Sequence, residues 1–435
     1  MDRAAWKCMS SSDRGERRLI FAMDHQLDSE KIADPILVSV IVTAYNQLNY
    51  TKQCIENLYK YTPNIRFELI TINNGSKDGT AEYFNSLPHK KKISFSENIG
   101  VDKAINYGIH MSEGIYTLNL SNDIIVTQNW LENLIICMES DPRIGMVVPT
   151  SSYSSNIQQV NLQYDTIDQM HVEAEKFNIS NPDMWEDKLR LVTYTCLFRT
   201  EILKMIGGFD EDFNPGAFDD DAIGFRMRRA GYRLILAADT FVHHYGSVTF
   251  GEEYKKNDLM KRNRKLFEKK FGVDSWLASS INFNLVHILD YSRRNMESPI
   301  YILGIGRTCG ASLLQIKNFY RKYGQHDVHL CYLAEEEKYI TDLKTICTDV
   351  VLSNCSKVKK LFDNRKYDII VVESETEDIE NIARFYLDLS EMLQENGQII
   401  TTAKPTTLPI ISSALGASGL TTSRCMENYY YTFCK

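Results

Sequence analysis

Four short groups of residues have types that could do chemistry, and each follows an apolar run. Thr43-Ala44-Tyr45-Asn46 and Asn73-Asn74-Gly75-Ser76-Lys77-Asp78-Gly79-Thr80 offer small polar side chains and exposed backbone groups. At strand ends such groups can pair with a base and a ribose. They serve equally as turn and cap chemistry, since Asn-Gly and Asp-Gly are turn dipeptides and Ser76 can cap a helix. Ser121-Asn122-Asp123 puts a carboxylate where it holds a hard divalent ion against a diphosphate, or where it forms a turn. In Phe218-Asp219-Asp220-Asp221 three adjacent carboxylates repel, which raises at least one pKa and suits a general base or a metal site. The alternative is a solvated helix start favoured by the helix dipole. His243-His244 closes the set. Adjacent side chains on an extended chain face opposite ways, so one imidazole at most meets a site, as a ligand for a manganese-like ion or as a structural histidine.

The elements that must position these groups alternate between strand and helix. The β-branched run from Ile36 to Val42 suits a parallel strand buried on both faces. Helical spacing over Thr51–Tyr61 leads to a second strand, Phe67–Ile72. A helix over Asp78–Leu87, a short strand at Lys92–Ser96, a helix over Ala104–Met111 and a strand at Ile115–Leu120 come next. Repeated βα units predict an α/β fold with a largely parallel sheet, whose ligands gather at the carboxyl ends of the strands. Residues 150–189 are polar and weakly patterned, as expected of a binding loop or lid. Trp276–Arg294 reads as a helical connector. A second α/β pattern starts at Pro299, with Ile300–Leu303 running into Gly304-Ile305-Gly306-Arg307-Thr308-Cys309-Gly310, and further strands at 328–333, 368–372 and 398–402.

The expected division is therefore an N-terminal extension over 1–34, packed on its neighbouring domain, a first domain over 35–275, a helical linker over 276–298 and a second domain over 299–435. With 49 Lys and Arg against 57 Asp and Glu, the net charge of −8 argues against a nucleic-acid binder. Ten scattered cysteines show no zinc spacing, the first residues lack a secretory core segment, and no apolar run nears the ~20 residues of a membrane span. The expectation is a cytoplasmic chain with reduced thiols.

Taken together, Val38–Asn46, Asn73–Thr80, Glu97-Asn98-Ile99-Gly100, Ser121-Asn122-Asp123, Gly207-Gly208-Phe209-Asp210, Phe218–Asp221 and Val242–Ser247 resemble an inverting family-2 glycosyltransferase of the GT-A fold. The similarity is to rhamnosyl- and N-acetylhexosaminyl-transferase-like members. It implies base, ribose and diphosphate contacts from Thr43, Ala44, Tyr45, Asn46, Asn73, Asn98, Gly100, Asn122 and Asp123. It also implies a metal (Mn2+ or Mg2+) on Asp123 and His244, with His243 as rival, and Asp220 as catalytic base beside Asp219. Asn73 stands where the family commonly has Asp, and Ser121 where a full DxD motif has its first Asp. The implied reaction moves a sugar from a nucleotide-diphospho sugar, a UDP-sugar first, to a hydroxyl of a glycan or protein such as a surface polysaccharide or flagellin. A glycan-binding module with a decayed transferase site is the alternative from another class.

Residues 299–435 resemble a class I methyltransferase-like Rossmann domain, through Ile302–Gly310, Tyr367–Val372 and Leu393–Ile400. Gly304 replaces the usual acidic residue and Thr308 a loop glycine, while Glu335 is the candidate ribose-binding acid. The expectation is a degenerate domain used for acceptor docking or for self-association as a homo-oligomer. A bifunctional glycosyltransferase-methyltransferase is the competing reading.

Overall fold

The structure is a computed structural model, described over residues 36–246, 258–293, 298–362, 365–374, 379–427 and 429–434. The expected extension over 1–34 and the end of the histidine segment, Ser247–Phe250, lie outside the described residues.

The first sheet holds nine strands: β1 (Val38–Ala44), β2 (Phe67–Asn74), β3 (Lys91–Phe95), β4 (Tyr116–Ser121), β5 (Ile124–Ile125), β6 (Ile144–Ser151), β7 (Trp185–Lys188), β8 (Thr195–Arg199) and β9 (Arg233–His244). Their order is β3-β2-β1-β4-β8-β6-β9-β5, with β7 also on β9. The β3-β2-β1-β4 half is parallel, as the β-branched runs predict. The other half corrects the expectation of a largely parallel sheet. β8 runs antiparallel between β4 and β6, and β7 and β5 run antiparallel to β9. The stretch 150–189 is likewise not only loop. It carries β7 and a helix, Ile167–Phe177, whose capping box pairs Thr166 with Gln169.

Helices α1 (Leu48–Tyr61), α2 (Thr80–Ser86) and α3 (Val101–Met111) connect the parallel strands. Then come α4 (Trp130–Glu139), α5 (Ile167–Phe177), α6 (Thr200–Met205) and α7 (Asp219–Arg229). Register explains why the polar groups converge. Thr43 on β1 lies opposite Ser121 on β4, and Ala44 opposite Asn73 on β2, so three strands end level.

After α8 (Leu259–Phe271), the expected connector is two short helices, α9 (Ser275–Ala278) and α10 (Phe283–Ile288). The second sheet comprises β10 (Ile300–Gly306), β11 (Val328–Ala334), β12 (Asp349–Leu352), β13 (Tyr367–Val372), β14 (Leu393–Thr402), β15 (Thr421–Met426) and β16 (Tyr430–Cys434). Its order is β12-β11-β10-β13-β14-β16-β15, parallel except that β16 runs against both neighbours. Helix α11 (Ala311–Lys322) comes after β10, and α12 (Ile340–Leu343) after β11.

Both sheets belong to one unit beginning at Ile36. A single apolar cluster runs from Phe218 and Phe225 on the first-sheet side through Phe267 to Ile302 and Leu313 on the second. Polar groups lock the same seam. Asn318 on α11 donates to the Asp187 carbonyl at 2.9 Å and accepts from the Asp187 N–H at 3.0 Å. Arg228 and Arg229 at the end of α7 both pair with fully buried Asp342, at 3.2 and 2.7 Å.

Candidate active site

A cavity of about 540 Å³ opens at the carboxyl ends of β1 and β4 and takes in the start of α7 and the end of β9. Thr43, Tyr45, Asn98, Asn122, Asp123, Asp219, Asp220 and His244 line it, so the sequence-expected groups from separate parts of the chain face one space.

One wall is a carboxylate–imidazole pair. Ile124 on β5 pairs with His244 on β9, which brings Asp123 alongside, and the Tyr245 N–H donates to the Asp123 carbonyl at 3.2 Å. His244 Nδ1 lies 2.7 Å from the Tyr153 carbonyl oxygen. A carbonyl only accepts, so Nδ1 carries a proton and Nε2 is the nitrogen left to take a metal. Nε2 lies 3.4 Å from Asp123 Oδ2. Two ligands each about 2.1 Å from one ion, at an octahedral right angle, sit about 3 Å apart, so the pair fits one hard divalent cation. Tyr194 stacks on the imidazole at 5.2 Å and holds its plane. Among the described residues no third His, Cys, Asp or Glu joins to make a cluster of three.

His243 is placed differently. The pleat turns it away from the cavity, where Nδ1 lies 2.6 Å from the Tyr164 hydroxyl oxygen. Burial, helped by neighbouring His244, pushes it down to about 4, so it is neutral at pH 7.

The opposite wall is the start of α7. Ala217 and Phe218 enter it at φ 71° and 65°, a left-handed conformation costly for a residue as bulky as Phe. Phe218 is held by stacking on Trp276 at 4.9 Å, and Asn263 of α8 donates to the Gly216 and Ala217 carbonyls at 2.8 and 2.9 Å. This strained entry aims Asp219 and Asp220 into the cavity. Asp220 Oδ1 accepts from the Thr193 N–H at 3.1 Å and from its hydroxyl. Asp221 turns away to Arg190, at 3.3 Å, and the Ser275 hydroxyl. Burial pushes Asp219 up to about 6. Burial, with the charge of Asp219 beside it, holds Asp220 well above the usual carboxylate range.

Sequence reasoning missed Asp102. It is fully buried in the first turn of α3, with its carboxyl against that of Asp219. Burial and the charges of Asp219 and Asp220 raise it well above the ordinary value, which favours its protonated form. A lone Asp inside Val101-Asp102-Lys103 looks like a helix-start residue, and only the approach of Asp219 and Asp220 makes it otherwise. Thr193 and Tyr194 were missed because they sit in the unpatterned approach to β8.

The nucleotide-side residues divide. Thr43 presents a buried hydroxyl with no hydrogen-bond partner. Asn98 takes the Asn74 amide at 2.9 Å, and both side chains reach the wall. Ala44, Asn46, Asn73 and Gly100 do not line the cavity, and they build the loops instead. Asn73 Oδ1 accepts from the Ser76 N–H at 3.0 Å, the Ser76 hydroxyl oxygen accepts from the Asn46 N–H at 2.8 Å, and Ala44 offers its carbonyl to the same hydroxyl. Gly100 has φ 92°, and a Cβ there would sit 2.3 Å from Asn214 Oδ1.

Residues 39–207 match the family model "Glycosyl transferase family 2". An uncharacterized glycosyltransferase of Haemophilus influenzae is 31% identical over 286 residues, spanning 61% of this chain and 84% of the relative. One from Rickettsia typhi is 30% identical over 175 residues, 40% of this chain and only 54% of the relative's length. Glycosyltransferase AglE of Haloferax volcanii is 26% identical over 258 residues, 58% of this chain and 78% of that protein. Among solved structures, a mannosyltransferase from Pyrobaculum calidifontis in complex with GDP-Man and Mn2+ is similar at a TM-score of 0.40 and 19% identity, covering 55% of this chain and 65% of that one. No helix among the described residues is long and apolar enough to cross a membrane. The chain belongs to glycosyl transferase family 2, and it is a glycosyltransferase.

Proposed function

We propose that this chain is an inverting, divalent-metal-dependent transferase of the GT-A type, moving a sugar from a nucleotide-diphospho sugar to an acceptor hydroxyl. The observation that carries the reading is one cavity with a ligand-ready Asp123–His244 pair on one wall and the Asp219–Asp220 pair on the other. Asp123 and His244 would hold the ion. When bound, the ion supplies Lewis-acid stabilisation of charge growing on the leaving diphosphate. Asp220 takes the proton from the acceptor oxygen as that oxygen attacks the anomeric carbon. The bond to the diphosphate breaks and the configuration inverts. A carboxyl held above its ordinary pKa accepts a proton with more driving force, and the Thr193 hydrogen bonds fix its orientation. Thr43, Tyr45, Asn74 and Asn98 form the base and ribose side.

UDP-sugars are the first donors to test, with glycan and protein hydroxyls as acceptors. A thermal-shift panel of UDP-, GDP- and dTDP-sugars, with and without Mn2+, tests the donor reading. Stabilisation by one nucleotide class that requires the metal supports it, and an equal response to all or none counts against it.

For residues 299–435, a parallel core continued by an antiparallel strand pair supports the methyltransferase-like reading. Its glycine turn is already engaged. The Tyr332 hydroxyl and Thr308 Oγ1 donate to Glu373 Oε2 at 2.9 and 3.1 Å, and Glu335 Oε2 accepts from the Ser374 hydroxyl at 2.5 Å. The domain's role is structural on this reading, as an acceptor dock or a self-association surface. Micromolar binding of S-adenosylmethionine by calorimetry would replace it with a bifunctional enzyme.

A further inference from the structure

A second cavity, of about 270 Å³, lies at the seam between the sheets. It sits beneath the amino ends of β6 and β9, whereas the transfer cavity lies by their carboxyl ends. β9 runs from one cavity to the other, and α7 also links them, from Asp219 and Asp220 to Arg228. Its lining is one-sided in charge. Arg143, Lys188, Arg228, Arg233, Lys317 and Arg321 face it with one carboxylate, Asp187.

Most of these cations are matched, with Arg143 forked onto Asp141 and Arg233 forked onto Asp187. Arg143 and Arg233 share Asp141 at 2.8 and 3.0 Å, and Arg233 also reaches Asp187 at 2.7 Å. Lys188 pairs with Glu186 at 2.6 Å, and Arg228 with Asp342 at 3.2 Å. The side chains of Lys317 and Arg321, one turn apart on α11, make no ion pair or hydrogen bond among the described residues. Burial holds Lys317 below the ordinary lysine range; Asp187 opposes this, while Arg233, Arg321 and Arg143 add to it. An ammonium that only folding drives into such company costs stability, and an anion in the cavity would reverse that cost.

We propose that this seam cavity is a binding site for a diphosphate-type oxyanion, held by Lys317 and Arg321 with Arg143 and Arg233 at its sides. The Arg321 fork suits one phosphoryl group, since it pairs two oxygens at once, and the Lys317 ammonium suits the phosphoryl group beside it. The volume lies just below the range of about 300–1,000 Å³ that drug-sized ligands fill, which favours a small polyanion over a folded partner. The site shares no lining residue with the transfer cavity, and its charge is opposite in sign to the Asp123 and Asp219–Asp220 walls.

The test uses the full chain in EDTA with inorganic pyrophosphate and, separately, UDP as probes, read by calorimetry and thermal shift. Pyrophosphate should bind and raise the Tm, with the Kd weakened at least tenfold in Lys317→Met/Arg321→Met and unchanged in Asp123→Asn. Binding of pyrophosphate alone identifies a free anion as the ligand, and binding of both probes identifies the diphosphate of a nucleotide. In anion-free buffer Lys317→Met should melt no lower than the parent, because it removes an unbalanced charge. No binding, binding that survives in the double variant, or a Lys317→Met chain that melts lower without anion would each overturn the proposal.

Discussion

His244 Nε2 lies 3.4 Å from Asp123 Oδ2, and this spacing depends on one short antiparallel bridge between β5 and β9. Because Nδ1–H is committed to the Tyr153 carbonyl, the ring can offer only Nε2 to an ion. His244→Ala and Asp123→Asn should therefore each raise the Mn2+ concentration for half-maximal transfer by about tenfold or more, by loss of a ligand. His243→Ala should leave it unchanged. A manganese titration of donor hydrolysis distinguishes them.

Asp220→Asn keeps the shape of the side chain and removes its basicity. Transfer should drop by about 10²–10⁴-fold, the usual contribution of a positioned base. Affinity for UDP with Mn2+, measured by calorimetry, should stay within a few fold. Retained turnover would move the base elsewhere.

The carboxyl pair sets the pH response. Burial raises Asp219 from its ordinary 3.8 to about 6, and Asp220 also lies above the usual range. The two titrate as a unit, so the acid limb of kcat/KM should fall at or above pH 6, not near 4. For stability the sign runs the other way. A raised folded-state pKa contributes stability below pH 3.8 that is lost as pH rises through about 6.

Asp102 extends the same argument. Since burial and two neighbouring carboxylates favour its protonated form, Asp102→Asn replaces it with a group that is neutral at every pH. The variant should melt higher than the parent at pH 8–9 and show no such gain at pH 4, with transfer within a few fold. Melting curves across that range decide it, and a loss of stability at high pH would refute the reading.

At the seam, Asp342 is fully buried with two guanidiniums on it. Asp342→Ala leaves Arg228 buried without its counter-charge and should destabilise by about 3–5 kcal/mol in urea unfolding.

The parallel strands and their polar ends were legible because a doubly buried strand must be an apolar run and must end in turn residues. Val38–Ala44 and Tyr116–Ser121 obey that rule. β5 was not legible, since two residues carry no period, and yet those two residues bring Asp123 to His244. Asn73 and Asn74 were indistinguishable as letters. The turn bond from Ser76 takes the first and leaves the second for the wall. Asp102 gained its meaning only through Asp219 and Asp220, more than a hundred residues away in sequence.

Helix α7 starts with the carboxylates of the transfer cavity and finishes with Arg228 in the seam, a span of about 15 Å at 1.5 Å per residue. The catalytic half is thus not detachable. Excising everything after residue 298 would strip Asp342 from Arg228 and apolar cover from the Phe225 side, and the same rod that aims Asp220 would lose its far anchor. A 36–298 fragment should be insoluble or inactive, and a soluble fragment with parental turnover would show that the anchor is dispensable.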